Sequence, residues 1–203
     1  MSRCSSTRRP SSLSPRRSEA TRLNATGRVR VWDRAVRLLH WALVVSVALA
    51  ALSLVDALGV PAWHRPAGYV ALVVVLLRIA WGVVGRGHAR FGAFVRGSAA
   101  TLHYLSLLMR RREPRTLGHN PLGGWMIVTL LLCVMALALT GWLYTTDMFW
   151  GSELVEDAHR VLAWSLLALV ALHVSGVIFT SVRHRENLVK AMIDGEKNTR
   201  DDT

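Results

Sequence analysis

Apolar and polar positions along the chain separate into four long apolar runs, at about Leu38 to Val55, Pro66 to Val84, Leu122 to Tyr144 and Ala158 to Thr180. Each approaches the ~20 residues with which a helix crosses a hydrocarbon core. Lipid offers backbone N–H and C=O groups no partner, so each run must satisfy its own polar backbone and is predicted to be a helix. Between the second and third runs, Phe91, Phe94, Val95, Leu102, Leu105, Leu108 and Met109 recur at near-helical spacing, and Arg110 to Arg112 close the segment. That pattern predicts an amphipathic helix lying on the membrane surface. Asn120 followed by Pro121 reads as an N-cap with proline at the first helical position, a clean start for the third span. The expected fold is therefore all-α: an integral membrane four-helix bundle with an amphipathic cytoplasmic helix between spans two and three.

Charge orients this bundle. Ten arginines fall within residues 1 to 37, and Arg86, Arg90, Arg96, Arg110, Arg111, Arg112 and Arg115 follow the second span. The connection after the third span holds Asp147, Glu153, Glu156 and Asp157 with no Lys or Arg. Basic and acidic connections alternate as the positive-inside rule requires, which places both termini in the cytoplasm. The net charge of +12 thus has a topological reading. It does not point to nucleic acid, because the basic residues flank spans instead of forming one groove-sized patch. The partner it implies is membrane lipid. Residues 1–28, serine-rich and basic without apolar periodicity, read as a disordered cytoplasmic tail. Arg8-Arg9 is not followed by an apolar stretch until Leu38, which begins a full span, so a twin-arginine export signal is rejected. Residues 29–197 form one membrane domain, and 198–203 a short C-terminal tail. The spans leave no room for a second domain.

Candidate chemistry lies in the histidines. Cys4 and Cys133 are the two cysteines, and with no Cys-x-x-Cys-His the chain supports neither a covalently attached haem nor a cysteine-ligated metal centre. Cys133 reads as a small buried apolar residue. His159 and His173 lie fourteen residues apart on the fourth run. Fourteen steps fall about 40° short of four helical turns, so both imidazoles face one way, ~21 Å apart along the axis. His40 begins the first span on the cytoplasmic side and His64 precedes the second on the opposite side. Depth then pairs His40 with His173 and His64 with His159, giving two bis-imidazole cages of the kind a six-coordinate, non-covalently held b haem needs for electron transfer. His88, His103, His119 and His184 fall in cytoplasmic segments and read as solvated or interfacial. Gly68, Gly123, Gly124, Gly141 and Gly176 are places where a missing side chain could admit a flat macrocycle, though glycine also serves ordinary helix contacts. Arg78, inside the second run, either pairs with a haem propionate or a quinone carbonyl or snorkels to the inner headgroups. The tryptophans, among them Trp32, Trp63, Trp81 and Trp150, read as interface markers.

Several stretches together carry a resemblance. Val31-Trp32-Asp33-Arg34-x-x-Arg37-x-x-His40-Trp41, Gly68-Tyr69 with Arg78-x-x-Trp81-Gly82, Gly118-His119-Asn120-Pro121-Leu122-Gly123-Gly124, and Asn187-Leu188-Val189-x-Ala191-Met192-x-x-Gly195-x-Lys197 resemble the prokaryotic cytochrome b561 family. Within it they are most similar to the b-type cytochrome subunits of nickel-iron hydrogenases. The resemblance spans residues 29 to 197. It implies two haem b groups with His40, His64, His159 and His173 at the ligand positions, in the bacterial inner membrane. It also implies exchange of electrons with quinone and with a redox protein such as a hydrogenase, a dehydrogenase or a c-type cytochrome. Hydrogenase cytochromes of the family usually carry one span more than the four found here, which points to a shorter branch. Two other readings stay open. One is a stand-alone enzyme oxidising superoxide and reducing quinone, against which the acidic run Asp147 to Asp157 argues by repelling an anion. The other is a haem-free metal-binding or transport protein, for which ligands would have to converge on one centre, whereas His159 and His173 lie ~21 Å apart on their helix.

Overall fold

The protein is described from a computed structural model, in which residues 28–30, 32–53, 61–85, 89–112 and 120–198 are placed. The expectations for the N-terminal tail through residue 27, for Cys4, His88 and His119, and for residues 199–203 lie outside the described residues.

The first span, α1, runs Arg34–Leu52. It starts there because Asp33 holds an extended conformation and accepts the Val36 N–H through Oδ1 at 2.7 Å, satisfying one of the orphan donors of a first turn. After a 3₁₀ turn at Pro61–Trp63, α2 covers His64–Val84. The surface segment is two helices, α3 (Phe91–Phe94) and α4 (Ser98–Met109), and not the single helix its periodicity suggested. Val95, Arg96 and Gly97 interrupt it in extended backbone, and Phe94 is drawn into the core while Leu102 and Met109 stay exposed. Asn120 caps α5 (Pro121–Leu143) by accepting the Gly123 N–H at 2.6 Å, with Pro121 at the first position.

Helix α6, Glu153–Arg183, is 31 residues long. At 1.5 Å per residue it measures about 46 Å and outruns a hydrocarbon core of ~30 Å. It extends past both ends of its apolar run because Glu153 and Glu156 in the first turn and Arg183 in the last complement the helix dipole. Arg160, the charge at the head of this run, is paired with Glu156 at 2.8 Å and Asp157 at 3.2 Å. A short helix, α7 (Leu188–Asp194), is capped by Asn187 and ends at Gly195, whose φ of +83° is left-handed. Beyond it, β2 (Glu196–Asn198) pairs antiparallel with β1 (Arg28–Arg30), matching Arg28 to Asn198 and Arg30 to Glu196. Nothing in the hydrophobic pattern announces this ladder; three-residue polar strands have no alternation to read.

The four long helices pack in the order α1, α2, α5, α6, each against the next. The connections from α1 to α2 and from α5 to α6 are short, as in up-and-down bundles, while the one from α2 to α5 is long and holds α3 and α4. The core joins Ala71 and Val75 of α2, Leu131, Cys133 and Val134 of α5 and Leu166 of α6. Cys133 fills the buried apolar role expected of it, its thiol donating to the Leu162 carbonyl at 3.7 Å. By contrast α6 touches α1 and α2 at most marginally, leaving a seam between them. Val44, Val45, Val73, Leu76, Leu77, Leu132, Leu172 and Ile178 point outward, and so broad an apolar exterior belongs in lipid. All four long helices are long and apolar enough to span, and the chain is a multi-pass membrane protein.

Helix α5 approaches α3 closely: a Cβ on Gly124 would lie 2.7 Å from the Phe94 carbonyl oxygen, whereas one on Gly92 would meet nothing within 4 Å. Gly124→Ala is therefore expected to cost about 1–3 kcal/mol through backbone displacement, and Gly92→Ala to stay within about 0.5 kcal/mol of wild type. Thermal unfolding in detergent compares the two; equal midpoints would show that the α3–α5 contact does not constrain the fold.

Candidate functional site

The seam holds the four span histidines in two groups. At the acidic end, His64 in the first turn of α2 faces His159 of α6, ring centroids 6.1 Å apart and planes at 73°. Both rings are fixed through Nδ1. His64 Nδ1 lies 2.9 Å from the Ala50 carbonyl oxygen and 3.3 Å from Ser53 Oγ. A carbonyl only accepts, so Nδ1 carries the hydrogen. The Ala50 carbonyl is available because it lies in the last turn of α1, where carbonyls lack intrahelical donors. His159 Nδ1 lies 3.0 Å from Thr140 Oγ1. The Thr140 hydroxyl donates back to the Ala136 and Leu137 carbonyls at 3.0 and 2.9 Å, so toward the imidazole it accepts. In both rings the remaining nitrogen, Nε2, carries the lone pair.

At the basic end, His40 of α1 and His173 of α6 lie within electrostatic reach of each other, and Arg78 of α2 lies within reach of His40. Trp41 sits edge-on to His40 at 5.5 Å and donates to the Met192 carbonyl of α7 at 3.4 Å. Arg78 does not snorkel: it is 5% exposed, and its Nη1 is buried with no hydrogen-bond partner among the described residues. Its Cζ lies 5.4 Å from the centre of the Phe91 ring, a cation–π contact.

The remaining candidates scatter. His103 is exposed on α4 and His184 caps the C-terminus of α6. Among the glycines, Gly68 and Gly176 face open space, while Gly124 meets Phe94 and a Cβ on Gly141 would lie 3.1 Å from His159 Cε1. Gly123 belongs to the Asn120 cap. Trp63 and Trp150 are exposed as interface residues are, but Trp32 is 7% exposed. It is a packing residue at the basic end, correcting its assignment as an interface marker. Among the described residues no three His, Cys, Asp or Glu side chains converge as a metal cluster.

Residues 31–195 match the sequence profile of prokaryotic cytochrome b561. The chain belongs to that family. A probable Ni/Fe-hydrogenase B-type cytochrome subunit of Bradyrhizobium diazoefficiens is 26% identical over 231 aligned positions, taking in 91% of this chain and 92% of the relative. The proteins of the same description from Cupriavidus necator and Rhizobium leguminosarum bv. viciae are 23% and 25% identical, covering 84% and 68% of this chain and 87% and 68% of theirs. No solved structure matches. Membership makes the chain a membrane b-type cytochrome of electron transfer.

The residues fit the haem b that such a cytochrome carries. Two imidazoles sharing one metal through bonds of roughly 2.0–2.1 Å would set their ring centres about 6 Å apart, close to the 6.1 Å between His64 and His159. The donor set is nitrogen only, in twos, and at His64 and His159 the Nδ1–H is anchored and Nε2 is bare, as ligation of a haem iron would require. Inspection of the sequence did not find Thr140, Ser53 or the Ala50 carbonyl. Thr140 is nineteen residues before His159, on another helix, and a threonine on an apolar helix carries no local mark of what its oxygen faces. A search for hydroxyl residues one helical hairpin away from each histidine, at matching depth, would have raised it.

Proposed function

We propose that the chain is a di-haem b-type cytochrome, with His64 and His159 as axial ligands near the acidic end and His40 and His173 near the basic end. It would carry electrons across the membrane between quinone and a redox partner. The observation that carries this reading is the approach of His64 and His159 to a ring separation of 6.1 Å, with the Nδ1 of each already engaged by an acceptor from another helix. A haem held by either pair would supply a one-electron ferric–ferrous couple.

The protein's own residues do the rest. The Ala50 carbonyl, Ser53 and Thr140 fix the imidazole planes and the protonated nitrogen, and so hold Nε2 as the donor atom. Fourteen residues of α6 set the two positions ~21 Å apart along the helix. The apolar faces of α2 and α5 exclude water and keep the couples in low dielectric. The positive-inside rule places the arginine-rich end, with both termini, in the cytoplasm. Relatives described as hydrogenase cytochrome subunits support a hydrogenase as the kind of redox protein engaged; a dehydrogenase or a c-type cytochrome would fit the same chemistry.

Purified in detergent, the chain is expected to hold two b haems by pyridine haemochrome assay, and His173→Ala and His159→Ala one each. Two haems retained in either variant would refute the pairing, and none in the wild type, even with haem supplied, would sink the reading. Thr140→Val, which keeps the shape but removes the acceptor, is expected to weaken haem binding at the acidic end ten- to a hundred-fold, read by titrating haem into the haem-free chain. Unchanged affinity would mean that Thr140 does not orient a ligand.

A further inference from the structure

A guanidinium 5% exposed on a helix that crosses a membrane, with Nη1 buried and unpartnered, needs an anion. Leaving such a charge unpaired costs several kcal/mol. The carboxylate nearest it electrostatically is Asp33, whose oxygens are already used: Oδ1 accepts from the Val36 N–H at 2.7 Å and Oδ2 from Trp81 Nε1 at 3.1 Å. Neither reaches Arg78 Nη1.

Helix geometry says where the missing anion lies. Arg78 follows His64 by fourteen residues on α2, the interval that separates His159 from His173 on α6. Both helices run in the same direction, so Arg78 faces as His64 does, into the seam, ~21 Å further along and level with His173. His40 is within its field at that depth. The guanidinium is also held in place. Phe91 lies under it at 5.4 Å, and that ring is pressed against Gly82, where a Cβ would fall 2.2 Å from Phe91 Cε2. Any side chain at 82 would push the ring away.

We propose that Arg78 is a positioning residue that receives a carboxylate of the haem held between His40 and His173, through the bidentate pairing that a guanidinium offers a carboxylate. The inference rests on the di-haem reading and goes beyond it by assigning the acid group of one haem to one residue. A lipid phosphate could offer similar anionic oxygens, and the test separates the two.

The test uses full-length chain carrying His159→Ala, so that one haem remains, alone and with Arg78→Gln or Arg78→Lys. Each is stripped of haem in detergent and titrated with haem b or with its dimethyl ester, in which both carboxylates are capped. With Arg78 present, haem b should bind about tenfold or more tightly than the ester, as expected for a charge-assisted bond. Arg78→Gln should abolish that preference and Arg78→Lys should keep part of it. The midpoint potential of the remaining haem b should also fall in Arg78→Gln, by 59 mV if the lost charge changes the one-electron equilibrium tenfold. A preference undiminished in Arg78→Gln overturns the proposal and leaves a lipid phosphate as the partner, shown by phosphate-bearing lipid retained by the Arg78 chain and lost from Arg78→Gln. Failure of the parent to bind any haem would instead refute the pairing of His40 with His173 and with it this inference.

Discussion

An imidazole inside hydrocarbon must have both ring nitrogens engaged, because lipid offers neither a donor nor an acceptor. At the acidic end of this chain that constraint organises four elements. His64 reaches a carbonyl in the last turn of α1 that also accepts from the Ser53 hydroxyl, and His159 reaches a hydroxyl on α5 whose own hydrogen is spent on its helix. Each contact consumes Nδ1–H and leaves a lone pair on Nε2. The two rings come within 6.1 Å of each other, centre to centre, where α6 stands apart from α1 and α2. On the proposed reading, this seam, which would be a packing defect in an ordinary bundle, is where a large planar cofactor would complete both the packing and the polar accounting.

The basic end is built around α1. Asp33 caps that helix with one oxygen and ties it to Trp81 of α2 with the other. Arg37 and Trp41, one turn apart on α1, donate to the carbonyls of Ile193 and Met192, which belong to the last turn of α7 and lack donors of their own. The Trp32 N–H then bonds the Gly195 carbonyl at 3.2 Å, and Gly195 must be glycine both for its left-handed φ and because a Cβ would lie 2.9 Å from the Trp32 carbonyl oxygen. His40 lies between Arg37 and Trp41 in sequence, so the C-terminal segment fixes the helix that presents it. The Trp-Asp-Arg-x-x-Arg-x-x-His-Trp motif is thus a cap, a brace and a candidate ligand on consecutive turns of one helix.

Much of this was legible in the chain itself. Apolar runs of spanning length give four helices since lipid permits a single chain segment few other structures. Asn120 and Pro121 announced a helix start because capping is a contact between residues three apart. The facing of His159 and His173, and of His64 and Arg78, follows from 3.6 residues per turn and needs no tertiary knowledge. Legibility stopped where contacts became long-range. The surface segment broke in two because Phe94 is claimed by a close approach to Gly124, which its periodicity could not register. Trp32 looked like an interface residue and is buried, its backbone tied to Gly195, far away in sequence.

What the sequence by itself determined was therefore the axial pattern: how many spans there are, and which residues along each span share a face and at what spacing. These depend on hydropathy, charge and helical pitch, all local quantities. The tertiary structure alone decided the lateral arrangement: that α6 leans on α5 and stands off from α1 and α2, that Thr140 is the oxygen beside His159, and that Arg78 Nη1 is buried without a hydrogen-bond partner among the described residues. Side-chain volume and close backbone approach between distant segments set those relations, and no spacing along the chain encodes them.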